Sequence, residues 1–257
     1  LVGAALDGDG DRCLFVQATE TGFAVVDGDA MGAMLLQASA DRAWSFAASI
    51  ESDMGLFASA KAINAGTNCI ETAVGDRWLS FALRPTDGGW LQGETMPTCC
   101  GIEDSGHVVL PSPHPEKPGM WGLVGDGAAT LCAVLLAKSN TDEGFDRGWK
   151  RRVSINESRR ERWHHESDVF ATTLQTIQAS MERLGLEVQQ RLIEGEGDLL
   201  LVHATSSDGV ASFGVRNSGT QAKTSLSVRL SKGIDPGPYI QVLEQVKDSL
   251  AAVLTAP

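Results

Sequence analysis

Apolar positions along this chain recur partly with a period of two and partly with a period near 3.6. The alternation predicts short strands interleaved with amphipathic helices. Residues 1–6 are an apolar run and predict a buried strand, with two more strands at 13–16 and 22–26. Gly28 and Asp29 then open a helix over 30 to about 40, with Met31, Met34, Leu35 and Ala38 on one side. A short strand at 47–50 precedes a helix over 55 to about 65, which Gly66 closes in the manner of a C-cap. A strand at 69–74 and a helix at 76–83, stopped before Pro85, complete the series. Such alternation over roughly a hundred residues predicts an α/β fold of βαβ units, with a mixed or mostly parallel sheet.

Beyond it, the pattern gives a strand at 108–110, a Pro-rich loop at 111–118 and a helix at 128–138 with Asp126 as its N-cap. Residues 141–167 are polar and charge-dense and include the run Arg159-Arg160-Glu161-Arg162; they predict a linker between domains. The last part changes character. A helix at 169–184 precedes strands at 186–193, 199–204, 211–215 and 224–230, and a helix from about 239 to 254 follows. Hairpin-linked strands with flanking helices predict a small α+β C-terminal domain.

Composition narrows the function classes. The 257 residues carry a formal net charge of −12 with no basic stripe, which argues against a nucleic-acid partner. The patterns include no apolar run long enough to span a bilayer. Cys13, Cys69, Cys99, Cys100 and Cys132 are odd in number and form no C-x-x-C pair, so neither a disulfide framework nor a zinc site is expected. A reducing, cytoplasmic setting follows. A fold that opens inside a strand is also expected to lack an N-terminal portion.

The strongest chemical signal ends the first apolar run. Asp7, Asp9 and Asp11 alternate with Gly8 and Gly10, and Arg12 follows. Glycines let the chain turn tightly, so three carboxylates converge; like charges so placed call for a hard cation, Mg²⁺ or Ca²⁺. An EF-hand loop starting at Asp7 would need Gly and Glu where Arg12 and Ala18 stand, so that reading fails. The alternative is an acidic surface turn.

Two further motifs follow. Glu103, Ser105 and His107 lie in Gly101-Ile102-Glu103-Asp104-Ser105-Gly106-His107, with an acceptor, a hydroxyl and an imidazole in a short arc. They suit hydrogen bonding to vicinal sugar hydroxyls, or make an ordinary polar turn. Arg216-Asn217-Ser218-Gly219-Thr220, with Lys223 beyond, offers a guanidinium, hydroxyls and free amides. That makes a phosphate cradle or a solvated hairpin turn.

Asp-Gly-Asp-Gly-Asp-Arg, Glu-x-Ser-Gly-His and Arg-x-Ser-Gly-Thr-x-x-Lys, in this order, resemble the metal, sugar and phosphate loops of the α-D-phosphohexomutases. That family includes phosphoglucosamine mutase and phosphomannomutase. The resemblance implies that residues 1–41 end the family's metal-binding second domain, 42–140 form its sugar-binding third and 168–257 its phosphate-binding fourth. It implies Mg²⁺ on Asp7, Asp9 and Asp11, with Arg12 supporting the transferring phosphate. Glu103, Ser105 and His107 would meet the sugar; Arg216, Ser218, Gly219, Thr220 and Lys223 would hold the idle phosphate. The family usually has Pro and Glu where Asn217 and Gln221 stand, which leaves the detail of that grip open. A weaker match, Thr72-Ala73-Val74-Gly75-Asp76-Arg77, puts Arg77 either on a phosphate or on a helix surface.

The implied activity is that of an isomerase, an intramolecular phosphotransferase of carbohydrate metabolism acting on hexose or hexosamine phosphates through its own phosphoserine. The family carries that serine in a Thr-x-x-Ser-His-Asn-Pro type loop, and no such string occurs here. Ser112-Pro113-His114-Pro115 lacks the Asn and lies in the wrong domain. The expectation is therefore a C-terminal portion without the catalytic serine, inactive alone. The alternative is a non-catalytic phosphosugar-binding module or subunit that needs a partner chain.

Overall fold

A computed structural model describes residues 1–139, 144–219 and 221–256. Contacts divide the chain into two compact units, Leu1–Ser52 with Leu56–Asp146, and Asp53–Gly55 with Arg147–Pro257.

The first unit opens with three antiparallel strands, β1 (Gly3–Leu6), β2 (Cys13–Thr19) and β3 (Gly22–Val26), in the order β1-β2-β3. Next come α1 (Gly28–Gln37), β4 (Ser45–Ser49), α2 (Gly55–Ile63), β5 (Asn68–Thr72) and α3 (Asp76–Leu83). Then follow β6 (Leu91–Gln92), β7 (Cys99–Ile102), β8 (Val108–Pro113), β9 (Met120–Gly125) and α4 (Gly127–Lys138). Strands β4 to β9 form one six-stranded sheet in the order β5-β4-β7-β8-β9-β6.

Period-two alternation sends successive side chains to opposite faces of that sheet. Phe46, Cys100, Ile102 and Val108 join Met31, Leu36 and Val134 on one side. Ala47, Cys99 and Val109 join Leu79 and Leu83 of α3 on the other. Both faces are thus covered by helices, the mixed α/β architecture that the pattern implies. Cys99 and Cys100 are buried in β7, and burial pushes the Cys99 thiol up to about 11.

β4 pairs in parallel with β5 and β7 only, whereas β7–β8, β8–β9 and β9–β6 are antiparallel, so the sheet is mixed, as the expectation allowed. Two details differ from the expectations. β1 is exposed along all four residues, because it is the edge of the small sheet and has β2 on one flank only. β8 continues through Pro111 and Pro113, pairing them with Leu123 and Trp121 of β9. Its pairing with β7 ends at Val109, so both prolines lie on a locally free edge, where a missing N–H costs nothing.

The second unit contains β10 (Trp149–Asn156), a 3₁₀ turn (Arg160–Arg162), α5 (Asp168–Arg183), β11 (Glu187–Arg191), β12 (Leu200–Ser206), β13 (Gly209–Asn217), β14 (Lys223–Leu230) and α6 (Gly237–Leu254). Its five strands run antiparallel in the order β10-β14-β13-β12-β11. Ile177, Met181, Val202, Phe213, Val228, Leu243 and Val246 share its core, the α+β arrangement expected of the C-terminal part. Residues 149–156, inside the stretch expected to be a linker, pair with β14 from Trp149↔Leu230 to Asn156↔Lys223.

Candidate functional site

The acidic motif is the tip of the β1–β2 hairpin, closed by the pair Leu6↔Cys13. It thus leaves an antiparallel strand, not the carboxyl end of a parallel one. Asp7 organises the tip. Its Oδ1 accepts the N–H groups of Gly10 at 3.1 Å and Arg12 at 3.2 Å, and its Oδ2 accepts Arg12 Nε at 2.6 Å. Partial desolvation raises the Asp7 carboxyl, but the Arg12 amide and guanidinium outweigh it and hold the group at about 2. Asp7, Asp9 and Asp11 can each offer one oxygen such that all three lie within 4.8 Å of one another. Asp11 Oδ1 is buried without a hydrogen-bond partner. Three convergent carboxylates, with Asp11 Oδ1 unbonded though 3.6 Å from Arg12 Nε, fit a hard divalent cation.

The loop rests on the start of α4. Gly127 donates its N–H to Gly10 O at 3.0 Å, and a Cβ at Gly127 would lie 2.7 Å from the carbonyl oxygens of both Gly10 and Arg12. Only glycine allows that approach. Asp126 caps α4 as expected, accepting the N–H groups of Ala128 and Ala129.

The second motif turns back beside the first. Glu103 N donates to His107 O at 2.9 Å, Cys13 N donates to Gly106 O at 3.3 Å, and Arg12 and His107 form an antiparallel bridge. His107 Nε2 lies 3.4 Å from Asp11 Oδ2, and its Nδ1 lies 4.0 Å from Glu103 Oε2. Glu103 is 7% exposed. Its Oε1 accepts the Gly75 N–H and its Oε2 accepts Ser105 Oγ at 3.3 Å. Burial pushes the Glu103 carboxyl up, and the bond from Gly75 and the neighbouring His107 offset this only in part.

The first unit therefore gathers Asp7, Asp9, Asp11, Arg12, Glu103, Ser105 and His107. Arg77 is exposed; its guanidinium carbon lies 5.1 Å from the centre of the Trp78 ring, on the surface of α3.

The third motif is the β13–β14 turn of the second unit. Ser218 N donates to Lys223 O at 2.9 Å, and Ser218 Oγ accepts the Gln221 N–H at 3.3 Å. Arg216 lies 3.7 Å from Glu196. Thr220 lies outside the described residues. Asn217, where the family usually has Pro, donates from Nδ2 to Arg160 O and Trp163 O, and its Oδ1 accepts Thr224 Oγ1. Arg160 donates to Ser218 O and Gly219 O. Neither Arg160 nor the role of Gly75 has a sequence signal, since their partners lie 58 and 28 residues away.

Comparison with known proteins bears on the segment that carries the second motif. The family model described as phosphoglucomutase/phosphomannomutase, alpha/beta/alpha domain III, matches residues 27–146. That segment is similar to the third domain of the phosphohexomutases and here folds as the mixed, helix-covered sheet. The phosphoglucosamine mutase of Rhodococcus erythropolis is 40% identical over 144 residues, covering 54% of this chain and 27% of the relative. That of Kineococcus radiotolerans is 35% identical over 149 residues, covering 56% and 28%. The chain thus matches little more than a quarter of these relatives' length.

Two solved structures share the fold. An N-acetylglucosamine-phosphate mutase of the alpha-D-phosphohexomutase superfamily, in a product complex, aligns with TM-score 0.60 at 12% identity, covering 96% of this chain and 48% of that one. A phosphoglucomutase/phosphomannomutase family protein from Burkholderia thailandensis aligns with TM-score 0.52 at 16% identity, covering 97% and 46%. Among the described residues, no helix is long and apolar enough to cross a membrane.

Proposed function

We propose that this chain is the metal-, sugar- and phosphate-binding portion of a Mg²⁺-dependent, phosphoglucosamine mutase-like phosphohexomutase. It acts in the cytoplasm on a hexose or hexosamine phosphate, with a phosphoserine contributed by a segment outside these residues. One observation carries the reading: the three carboxylates of the hairpin tip converge directly beside the Glu103–His107 loop, joined through Arg12↔His107.

Mg²⁺ bound by Asp7, Asp9 and Asp11 would supply neutralisation of phosphoryl charge. The chain's own groups do the rest. Arg12 holds the tip in shape through Asp7 and presents a second cation to a phosphoryl group. Ser105 and His107 offer sugar hydroxyls a donor and an acceptor. Glu103, buried and doubly engaged, orients that loop and retains acceptor capacity on its carboxylate oxygens. In the second unit, Arg216, Lys223 and the Ser218–Gly219 backbone bind phosphate, with Arg160 and Asn217 holding the turn.

The test is equilibrium binding of glucosamine 6-phosphate to the chain, together with a turnover assay. The reading predicts saturable binding that Arg216→Ala weakens, and no mutase turnover by the chain alone. Absence of binding, or robust turnover without any other protein, contradicts it.

A further inference from the structure

At the far end of the first unit's sheet is a recess that the proposed chemistry does not use. It measures about 130 Å³ and is lined by Arg84, Gly88, Gly89, Trp90, Trp121, Gly122 and Leu123. Both ends of its framework are fixed. Arg84 directly follows α3, whose other end begins beside Gly75, the partner of Glu103. Trp121 is near the start of β9, whose last residue, Gly125, abuts His107. An eight-residue helix spans about 12 Å, and four strand steps about 13 Å, so the recess lies remote from the acidic and sugar loops.

Its walls are built in advance. Trp121 Nε1 donates to Gly93 O at 2.9 Å, which fixes that indole. The Trp90 ring lies 4.6 Å from the His114 ring, and His114 is itself held by accepting the N–H groups of Glu116 and Lys117 on Nδ1. A Cβ at Gly122 would lie 3.0 Å from the Trp90 ring, so the glycine lets the indole lie against bare β9 backbone. Trp90 nevertheless remains 44% exposed. Among the described residues the Arg84 side chain has no ion pair or hydrogen bond, in a chain of net charge −12. The nearby Asp87 carboxylate accepts the Gly89 N–H.

We propose that this recess is a second ligand site, for a small ring that bears an anionic group. Two indoles, that of Trp121 fixed by its bond to Gly93, offer flat apolar faces, and the volume is close to that of a cavity known to take benzene, about 150 Å³. Aromatic faces attract cations, but the Arg84 guanidinium in the wall disfavours them and supplies a charge-assisted donor to phosphate or carboxylate. A phosphorylated monosaccharide and a pyrimidine nucleotide share this chemistry. The site stands independently of the mutase reading.

The experiment follows the indole N–H resonances of the full chain by NMR. Those of Trp90 and Trp121, two of the six tryptophans, are assigned with Trp90→Phe and Trp121→Phe. Glucose 6-phosphate, uridine monophosphate and uncharged glucose are titrated separately. The proposal expects saturable shifts at both indoles from one of the anionic probes, with Kd of about 1 mM or tighter. It expects glucose to bind more weakly, and Arg84→Gln to weaken the anionic probe about tenfold or more. The responding probe identifies the source, and the shifts persist in Asp9→Asn. Lack of saturable shifts from both anionic rings overturns the proposal, as do equal binding of glucose and indifference to Arg84→Gln.

Discussion

His107 Nε2 lies 3.4 Å from Asp11 Oδ2, while Nδ1 of the same ring lies 4.0 Å from Glu103 Oε2. A single imidazole therefore links the Glu103–His107 loop to the acidic hairpin tip. In the proposed site Asp11 is a metal ligand, and a side chain placed against a ligand helps to set its orientation. His107→Ala is expected to weaken Mg²⁺ binding by about 10–100-fold, read by calorimetry. An unchanged affinity would remove His107 from the support of Asp11.

Glu103 predicts a pH dependence. Its folded pKa is raised above the ordinary value of 4.5, mainly by burial. The fold thus favours the neutral form, and the associated stability is complete below 4.5 and lost as pH rises through the folded value. Thermal melts across this acidic range should show that decline in the wild type and a flatter profile in Glu103→Gln. Parallel profiles would show that the carboxyl titrates as it does in the unfolded chain.

Gly127 tests the seat of the hairpin tip. Gly127→Ala places a Cβ 2.7 Å from two backbone carbonyl oxygens, which cannot rotate away. Overpacking of this kind costs about 1–3 kcal/mol, and denaturant unfolding should show it alongside weaker Mg²⁺ binding. Wild-type values for both would mean that the loop moves freely off α4.

Asp126 separates helix capping from site chemistry. Asp126→Ala removes the acceptor for Ala128 N and Ala129 N, at a cost of about 0.5–2 kcal/mol. A stability loss within that range, read from denaturant midpoints, is the expected outcome; no loss would mean that water replaces the cap.

Asn217 tests the second unit. Asn217→Ala strips partners from Arg160 O, Trp163 O and Thr224 Oγ1, and unsatisfied groups of this kind cost about 1–3 kcal/mol. Denaturation of the chain should register that loss, with weakened phosphosugar binding; a neutral result would leave the turn to Arg160.

What was legible in the sequence was local. Asp126 before an apolar helix, the alternating aspartates and the Ser-Gly-His turn all announce themselves within a few residues. β10 escaped because Lys150, Arg151 and Arg152 give it the polarity of a linker, yet charges suit an edge strand, and Trp149, Val153 and Ile155 turn to the core. The exposure of β1 was hidden for the opposite reason: an apolar composition does not reveal whether a strand has neighbours on one flank or two. The Glu103–Gly75 and Arg160–Ser218 bonds join segments far apart in sequence, so no local pattern records them.

The central claim is that the hairpin tip gathers a divalent cation, and Mg²⁺ titration of the wild-type chain against Asp9→Asn tests it most directly. Asp9 is exposed, so the substitution should spare the fold. The account predicts one saturable Mg²⁺ site in the wild type and its loss in the variant, with unchanged thermal stability of the metal-free proteins. Equal Mg²⁺ binding by the two chains, or none by the wild type, would contradict it.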